Sequence, residues 1–160
     1  MTDLEEVRNM FDSLFNQYKI DKKVKYEIEF GIMPNHMAQD ISSIVGFNII
    51  GAKLRIDSEK VSHILIYHDG ITETERVKEE KRGQIPVKKE DFYLIHKIIL
   101  ECDEYKKARD DQYGNPGIYF IKILNNIHYQ VCLTYTQKRD RRTDEIKKKL
   151  TVSTMFKKKI

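Results

Sequence analysis

Ile118-Tyr119-Phe120-Ile121-Lys122-Ile123-Leu124-Asn125-Asn126-Ile127-His128-Tyr129-Gln130-Val131-Cys132-Leu133-Thr134-Tyr135-Thr136 is the stretch that decides the fold. Both halves are crowded with β-branched and aromatic side chains, which suit a pleated, half-buried surface. The polar pair Asn125-Asn126 between them supplies a short connection, so the segment predicts a β-hairpin. Period-two alternation sets Tyr119 and Ile121 on one face and Phe120 and Lys122 on the other. It also groups Tyr129 and Tyr135 with Val131 and Leu133, company that favours burial. A further run, Leu150 to Phe156, reached through a basic connection at 137–149, predicts a strand that completes an antiparallel meander.

Toward the N-terminus the period lengthens. Leu4, Val7, Met10, Phe11, Leu14 and Phe15 recur at spacings of three and four, the mark of a helical face. Val24 to Phe30 then alternates apolar and polar side chains as a strand does, and ends at Gly31. Pro34 suits the first turn of a short helix running toward Val45, with Gly46 as its stop. Phe47 to Ile56 reads as extended. Asp57 or Ser58 can cap a helix over Val61 to Tyr67, which Asp69-Gly70 breaks. Thr72 to Lys81 reads as an exposed, charged excursion leading to Arg82-Gly83-Gln84-Ile85-Pro86. Residues 88–101 carry Phe92, Ile95, Ile98 and Ile99 on one helical stripe. The segment from there to Gly117 reads as a loop.

Helices therefore precede a C-terminal sheet, which is the α+β pattern: N-terminal helices packed on a C-terminal antiparallel β-meander. With 160 residues, no repeat and no linker rich in Gly, Pro or Ser, the chain is expected to form a single domain, 1–160.

Composition narrows the function. The chain is 40% hydrophobic and 34% charged, and no apolar run approaches the ~18 residues of a membrane span. Met1 to Glu6 is acidic and lacks the order of a signal peptide, so a cytoplasmic protein with no membrane contact is expected. Cys102 and Cys132 have no CxxC partner and read as thiols. No P-loop, dinucleotide glycine pattern, HExxH or EF-hand loop occurs, and the five histidines form no i,i+4 pair, so no cofactor and no metal are expected. The net charge of +4 is unevenly placed: residues 137–160 hold ten Lys or Arg against three acids, leaving the rest of the chain acidic. A concentrated basic segment favours a polyanion, through Coulomb attraction and counterion release.

The order Ser62-His63-Ile64-Leu65-Ile66-Tyr67-His68-Asp69-Gly70, Glu75-Arg76, Arg82-Gly83-Gln84-Ile85-Pro86, Glu90-Asp91-Phe92 and Ile98-Ile99 carries a resemblance. So do Ile118-Tyr119-Phe120-Ile121-Lys122, Tyr129-Gln130-Val131 and Leu150-Thr151-Val152-Ser153-Thr154. Residues 47–160 resemble the phage-associated group of barnase, EndoU, colicin and RelE-like nucleases, the BECR fold; residues 1–46 stand outside the likeness as an N-terminal extension. The resemblance implies helices on a four-stranded antiparallel meander and a metal-independent endoribonuclease, a toxin or phage-borne effector. Its chemistry needs a base, an acid and cationic donors around a phosphate. The implied acid and base are His63 and His68, about 140° apart on a regular helix. Arg82 is implied as a phosphate clamp, Thr154 as a hydroxyl donor, and Gln84 and Lys122 as substrate-binding groups. Tyr119 and Tyr135 are the candidate rings for stacking a splayed base. The partners expected are RNA, tRNA among its classes, and an acidic antitoxin or immunity protein. The competing readings are a non-catalytic nucleic-acid-binding module and a protein-interaction domain, both using the same basic face.

Overall fold

The computed structural model describes residues 4–20, 25–68 and 84–160, with the side chains of 18–20 and 65–68 outside the description. The first helix, α1 (Leu4–Ile20), turns the stripe read from the sequence inward: Val7, Phe11, Leu14 and Phe15 are buried. Phe11 sits at the centre of a ring cluster, with centroids 6.2 Å from Phe15, 5.7 Å from Phe30, 6.3 Å from Phe92 and 6.4 Å from Tyr93. Tilted and edge-on geometries of this kind suit the ring quadrupoles.

Strand β1 (Glu27–Ile32) supplies Phe30 to this cluster, and a register shift between Glu29 and Gly31 marks a bulge there. Helix α2 (Asn35–Val45) follows, with Pro34 at its cap, one position earlier than the first turn, and Gly46 closing it at φ 83°. That left-handed backbone is open to glycine at no steric cost. Strand β2 (Lys53–Asp57) is shorter than the extended run read from Phe47, because Asn48 and Gly51 turn the chain first.

At Ser58 the chain passes straight from β2 into α3 (Ser58–His68). Asp57 Oδ1 accepts the Lys60 amide at 2.9 Å, capping the helix. Ser58 meanwhile exchanges two bonds with Tyr26, its amide donating at 2.7 Å and its Oγ accepting at 2.9 Å. The expected break at Asp69-Gly70 and the excursion at 72–81 lie outside the described residues.

Strand β3 (Gln84–Ile85) leads into a 3₁₀ helix (Lys89–Leu94) and α4 (Ile95–Leu100), so the helix read over 88–101 forms with a tight first half. Buried Asp91 accepts the Lys88 amide at 2.8 Å and pairs with Lys157 Nζ at 2.8 Å, tying the 3₁₀ helix to the sheet. The expected loop beyond α4 contains a strand, β4 (Glu104–Ala108). Its sequence, Glu-Tyr-Lys-Lys-Ala, has no strand signal of its own; pairing with β5 (Gly117–Leu124) imposes the conformation.

Strand β6 (Ile127–Arg139) and strand β7 (Ile146–Lys159) run well past the expected limits. Most of the basic connection read at 137–149 is therefore strand, and only 140–145 turns. Cross-strand pairing through Arg139↔Ile146 outweighs the low β-propensity of lysine. Asn125 and Asn126 form the hairpin turn at φ 50° and 63°.

The strand order is β1-β2-β7-β6-β5-β4, with β3 beside β7. Among the described residues the sheet has seven strands, where the resemblance implies four, and β2 runs parallel to β7 within an otherwise antiparallel sheet. The class is α+β. The described part of the N-terminal extension, 4–20 and 25–46, is integral to it, since α1, β1 and α2 all feed the same core as Ile118, Val131 and Val152. Among the described residues no helix is long and apolar enough to cross a membrane.

His96 packs its ring edge 6.2 Å from Phe30, and Gly31 leaves room for it, since a Cβ there would lie 3.2 Å from Nε2. Burial holds the His96 pKa below 6.5, with Glu101 opposing more weakly. The unfolded chain thus binds this proton more readily than the folded one, so the stability contribution is whole above 6.5 and fades as pH falls below it. Urea unfolding should show a midpoint that drops between pH ~7 and ~5, with a shallower slope in His96→Gln. In the same assay Phe11→Ala should cost about 3–5 kcal/mol.

Candidate functional site

Strand β7 holds different neighbours along one side. Lys149 to Thr151 pair with β2 and Lys157 to Lys158 pair with β3. Between those stretches, among the described residues, 152–156 meet no strand on that side. Helix α3, leaving β2 at Ser58, packs against β7 with Val61 and Ile64 fully buried. A register shift between Cys132 and Leu133 gives β7 an additional residue, Ser153, beside Thr154. Bulges of this kind re-aim side chains.

The expected site residues His63, Thr154 and Gln84 thus come from the three elements that border this gap. His63 lies on the solvent side of α3. Its pKa is held below 6.5, by partial burial first and by the Lys60 ammonium second, so the imidazole is neutral at pH 7 and able to accept a proton. Gln84 opens β3 opposite Lys158, and its Oε1 is buried without a hydrogen-bond partner. His68 ends α3, its side chain outside the described residues, as is the whole of Arg82.

Two expected residues are placed elsewhere. Lys122 shares the helix-covered face with Tyr129, and its Nζ donates to the Glu101 carbonyl at 2.7 Å. That commitment arises because α4 ends directly over β5, and it takes the cation away from the gap. Tyr135 is 7% exposed, stacks on Phe47 at 5.1 Å and donates its hydroxyl to Gln137 at 3.1 Å. Its burial is what the company of Val131 and Leu133 foretold. Tyr119 does lie on the opposite, half-exposed face, paired with Cys132.

That opposite face carries the features the sequence did not single out. Thr134, Thr136, Thr151 and Ser153 floor a groove of about 460 Å³ that crosses β6 and β7. One wall is the loop Asp111–Tyr113; the other comprises Lys25, Arg55, Asp57 and Lys60. Asp111 accepts the Tyr113 and Asn115 amides at 2.9 and 2.8 Å, which fixes the loop and holds its carboxyl below the ordinary value. Tyr113 is consequently presented at 80% exposure. Arg55 is bound to Glu27 and lies 3.8 Å from Asp57, while its Nε stays buried and unpartnered. The signal available in the sequence was the hydroxyl spacing Thr134-x-Thr136 and Thr151-x-Ser153, polar positions at period two beside apolar ones.

Family models, curated proteins and solved structures give no match to this chain. Among the described residues no group of three or more His, Cys, Asp or Glu gathers as a metal site.

Two causes lower the His63 pKa and Lys60 is the lesser, so Lys60→Ala should raise it partway toward 6.5. A pH titration of the His63 ring by NMR reads this; an unmoved or lowered value would contradict the arrangement.

Proposed function

We propose that the chain is an endoribonuclease that cuts RNA by attack of a ribose 2′-hydroxyl on the adjacent phosphate. The observation that carries this reading is His63: an imidazole kept neutral at pH 7, on a helix docked where β7 carries Ser153 and Thr154 between its two strand neighbours. His63 takes the 2′-hydroxyl proton as general base. The 2′-oxygen bonds to phosphorus, the bond from phosphorus to the 5′-oxygen breaks, and an acid returns a proton to that oxygen. The products are a 2′,3′-cyclic phosphate and a 5′-hydroxyl. His68 fills the acid's role and Arg82 the phosphate clamp by resemblance to the BECR nucleases. Thr154 and Gln84 supply neutral donors from β7 and β3.

The resemblance also supports a cytoplasmic toxin or phage-borne effector, tRNA among the substrates, and an acidic antitoxin or immunity protein that masks the basic face. A non-catalytic RNA-binding module is the second reading. It is favoured by the hairpin-end lysines on the open face, which line pockets separate from His63.

Purified protein incubated with total RNA in EDTA should yield cyclic-phosphate ends, leaving DNA intact. His63→Ala should slow cleavage by ~10²–10⁴-fold, in the range for loss of a general base. The wild-type rate should fall on the acid side as pH drops through the His63 pKa, which lies below 6.5. No cleavage, or cleavage indifferent to both His63→Ala and His68→Ala, defeats the nuclease and leaves the binding module.

A further inference from the structure

The basic hairpin places lysines against each other. Lys138 stands opposite Lys147 across β6 and β7, and Lys149 stands opposite Lys53 across β7 and β2. All four side chains fall on the open face, the same parity as Thr134, Thr136 and Thr151. Like charges directly opposite one another destabilise a sheet. The acids nearby relieve this only in part: Glu145 lines a pocket with Lys147 and Lys149 without forming an ion pair among the described residues, and the others are engaged elsewhere. Asp140 caps the turn by accepting the Arg142 amide at 2.9 Å, Asp144 is held by Arg139 at 2.8 Å, and Glu29 lies 3.5 Å from Lys53 alone. Among the described residues Lys138, Lys147 and Lys149 enter no ion pair.

This column of repulsion opens onto the hydroxyl-floored groove. From Lys147 to Ser153 along β7 the distance is roughly 20 Å, at ~3.3 Å per residue. The two ends differ in kind. The hairpin end is mainly cationic, with Lys138, Arg139, Arg141, Lys147 and Lys149 around Asp140 in one pocket, and acts on any phosphate. The groove end mixes acids with cations, offers neutral hydroxyls, and carries the exposed ring of Tyr113 at its wall.

We propose that this face is a track for single-stranded RNA, with phosphates on the lysine column and a base stacked on Tyr113. A polyanion laid there removes the lysine–lysine repulsion that the free sheet carries, so binding is favoured beyond simple attraction. The strand has to be single because a stacked and paired base cannot reach a protein ring, whereas a splayed one can. The hydroxyls accept or donate, which suits ribose 2′-hydroxyls as well as phosphate oxygens. The proposal rests on RNA being the ligand of the proposed function, and it adds the form of RNA and its path.

The test uses the whole chain and labelled 2′-O-methyl RNA, which lacks the attacking hydroxyl and stays uncut. Anisotropy should show binding to an unstructured strand of about twelve nucleotides at least tenfold tighter than to the duplex of that length, and weaker binding to about four. Log affinity should fall linearly with log salt, and the slope should flatten in Lys147→Gln/Lys149→Gln, with a tenfold or larger loss of affinity at low salt. Tyr113→Phe should retain affinity and Tyr113→Ala should lose five- to a hundredfold, since the ring rather than the hydroxyl stacks. Circular dichroism of each variant confirms folding before binding is scored. Equal affinity for duplex and strand, or unchanged binding in the folded lysine and tyrosine variants, overturns the track. If RNA is still cut in that event, the nuclease reading stands without it. Binding along the track with no cleavage of any RNA does the opposite: the track stands and the nuclease falls.

Discussion

Backbone pairing along Ile146–Lys159 is the constraint on which the rest of the molecule depends. This strand bonds β6 along one side for nearly its full length, and on the other side it serves β2 and then β3. Each buried amide and carbonyl needs a partner, so the positions of β2 and β3 are set by where β7 has groups to offer. Between them, among the described residues, that side of β7 meets a helix instead. The candidate residues His63, Thr154 and Gln84 are carried by α3, β7 and β3, the elements that meet around this stretch.

The same sheet divides two kinds of chemistry between its faces. On the covered face, even polar groups are consumed by structure: Lys157 is held by Asp91 and Lys122 by the Glu101 carbonyl. On the open face, Thr134, Thr136, Thr151 and the lysines lie toward solvent, while Ser153 donates its hydroxyl to the Cys132 carbonyl at 3.1 Å. A β-sheet makes this separation automatic, since neighbouring residues project oppositely. A single-residue slip would exchange the two sets, and the Phe11 ring cluster together with Leu133, Val152 and Met155 prevents it.

Much of the architecture was legible because it rests on local patterns. The stripe of α1, the Gly46 stop, the Asp57 cap and the Asn125-Asn126 turn all have signals within a few residues. What escaped detection depends on distant partners. Glu104 to Ala108 becomes a strand only by lying beside β5, and the lysines of 147–149 join a strand through β6 and β2. For the site, the resemblance led to His63, Thr154 and Gln84, which lie on α3, β7 and β3, three elements that meet along one strand. For Lys122, alternation gives its face but not the Glu101 carbonyl above it, to which its ammonium donates. The groove was missed because threonine in a strand reads as a β-former first, and only the folded sheet shows four hydroxyls side by side.

Placing the middle strand of a sheet near the end of the described chain also dictates the order of events during synthesis. As the polypeptide leaves the ribosome, at ~5–20 residues each second, β1–β2 and β4–β5 can pair locally but have no common scaffold. The parallel contact of Lys53 with Lys149 closes a loop of nearly a hundred residues, a slow and late step. Until residues 146–159 arrive, the nascent chain has neither the lysine column nor the bordered gap, so both form together in the last step of strand pairing.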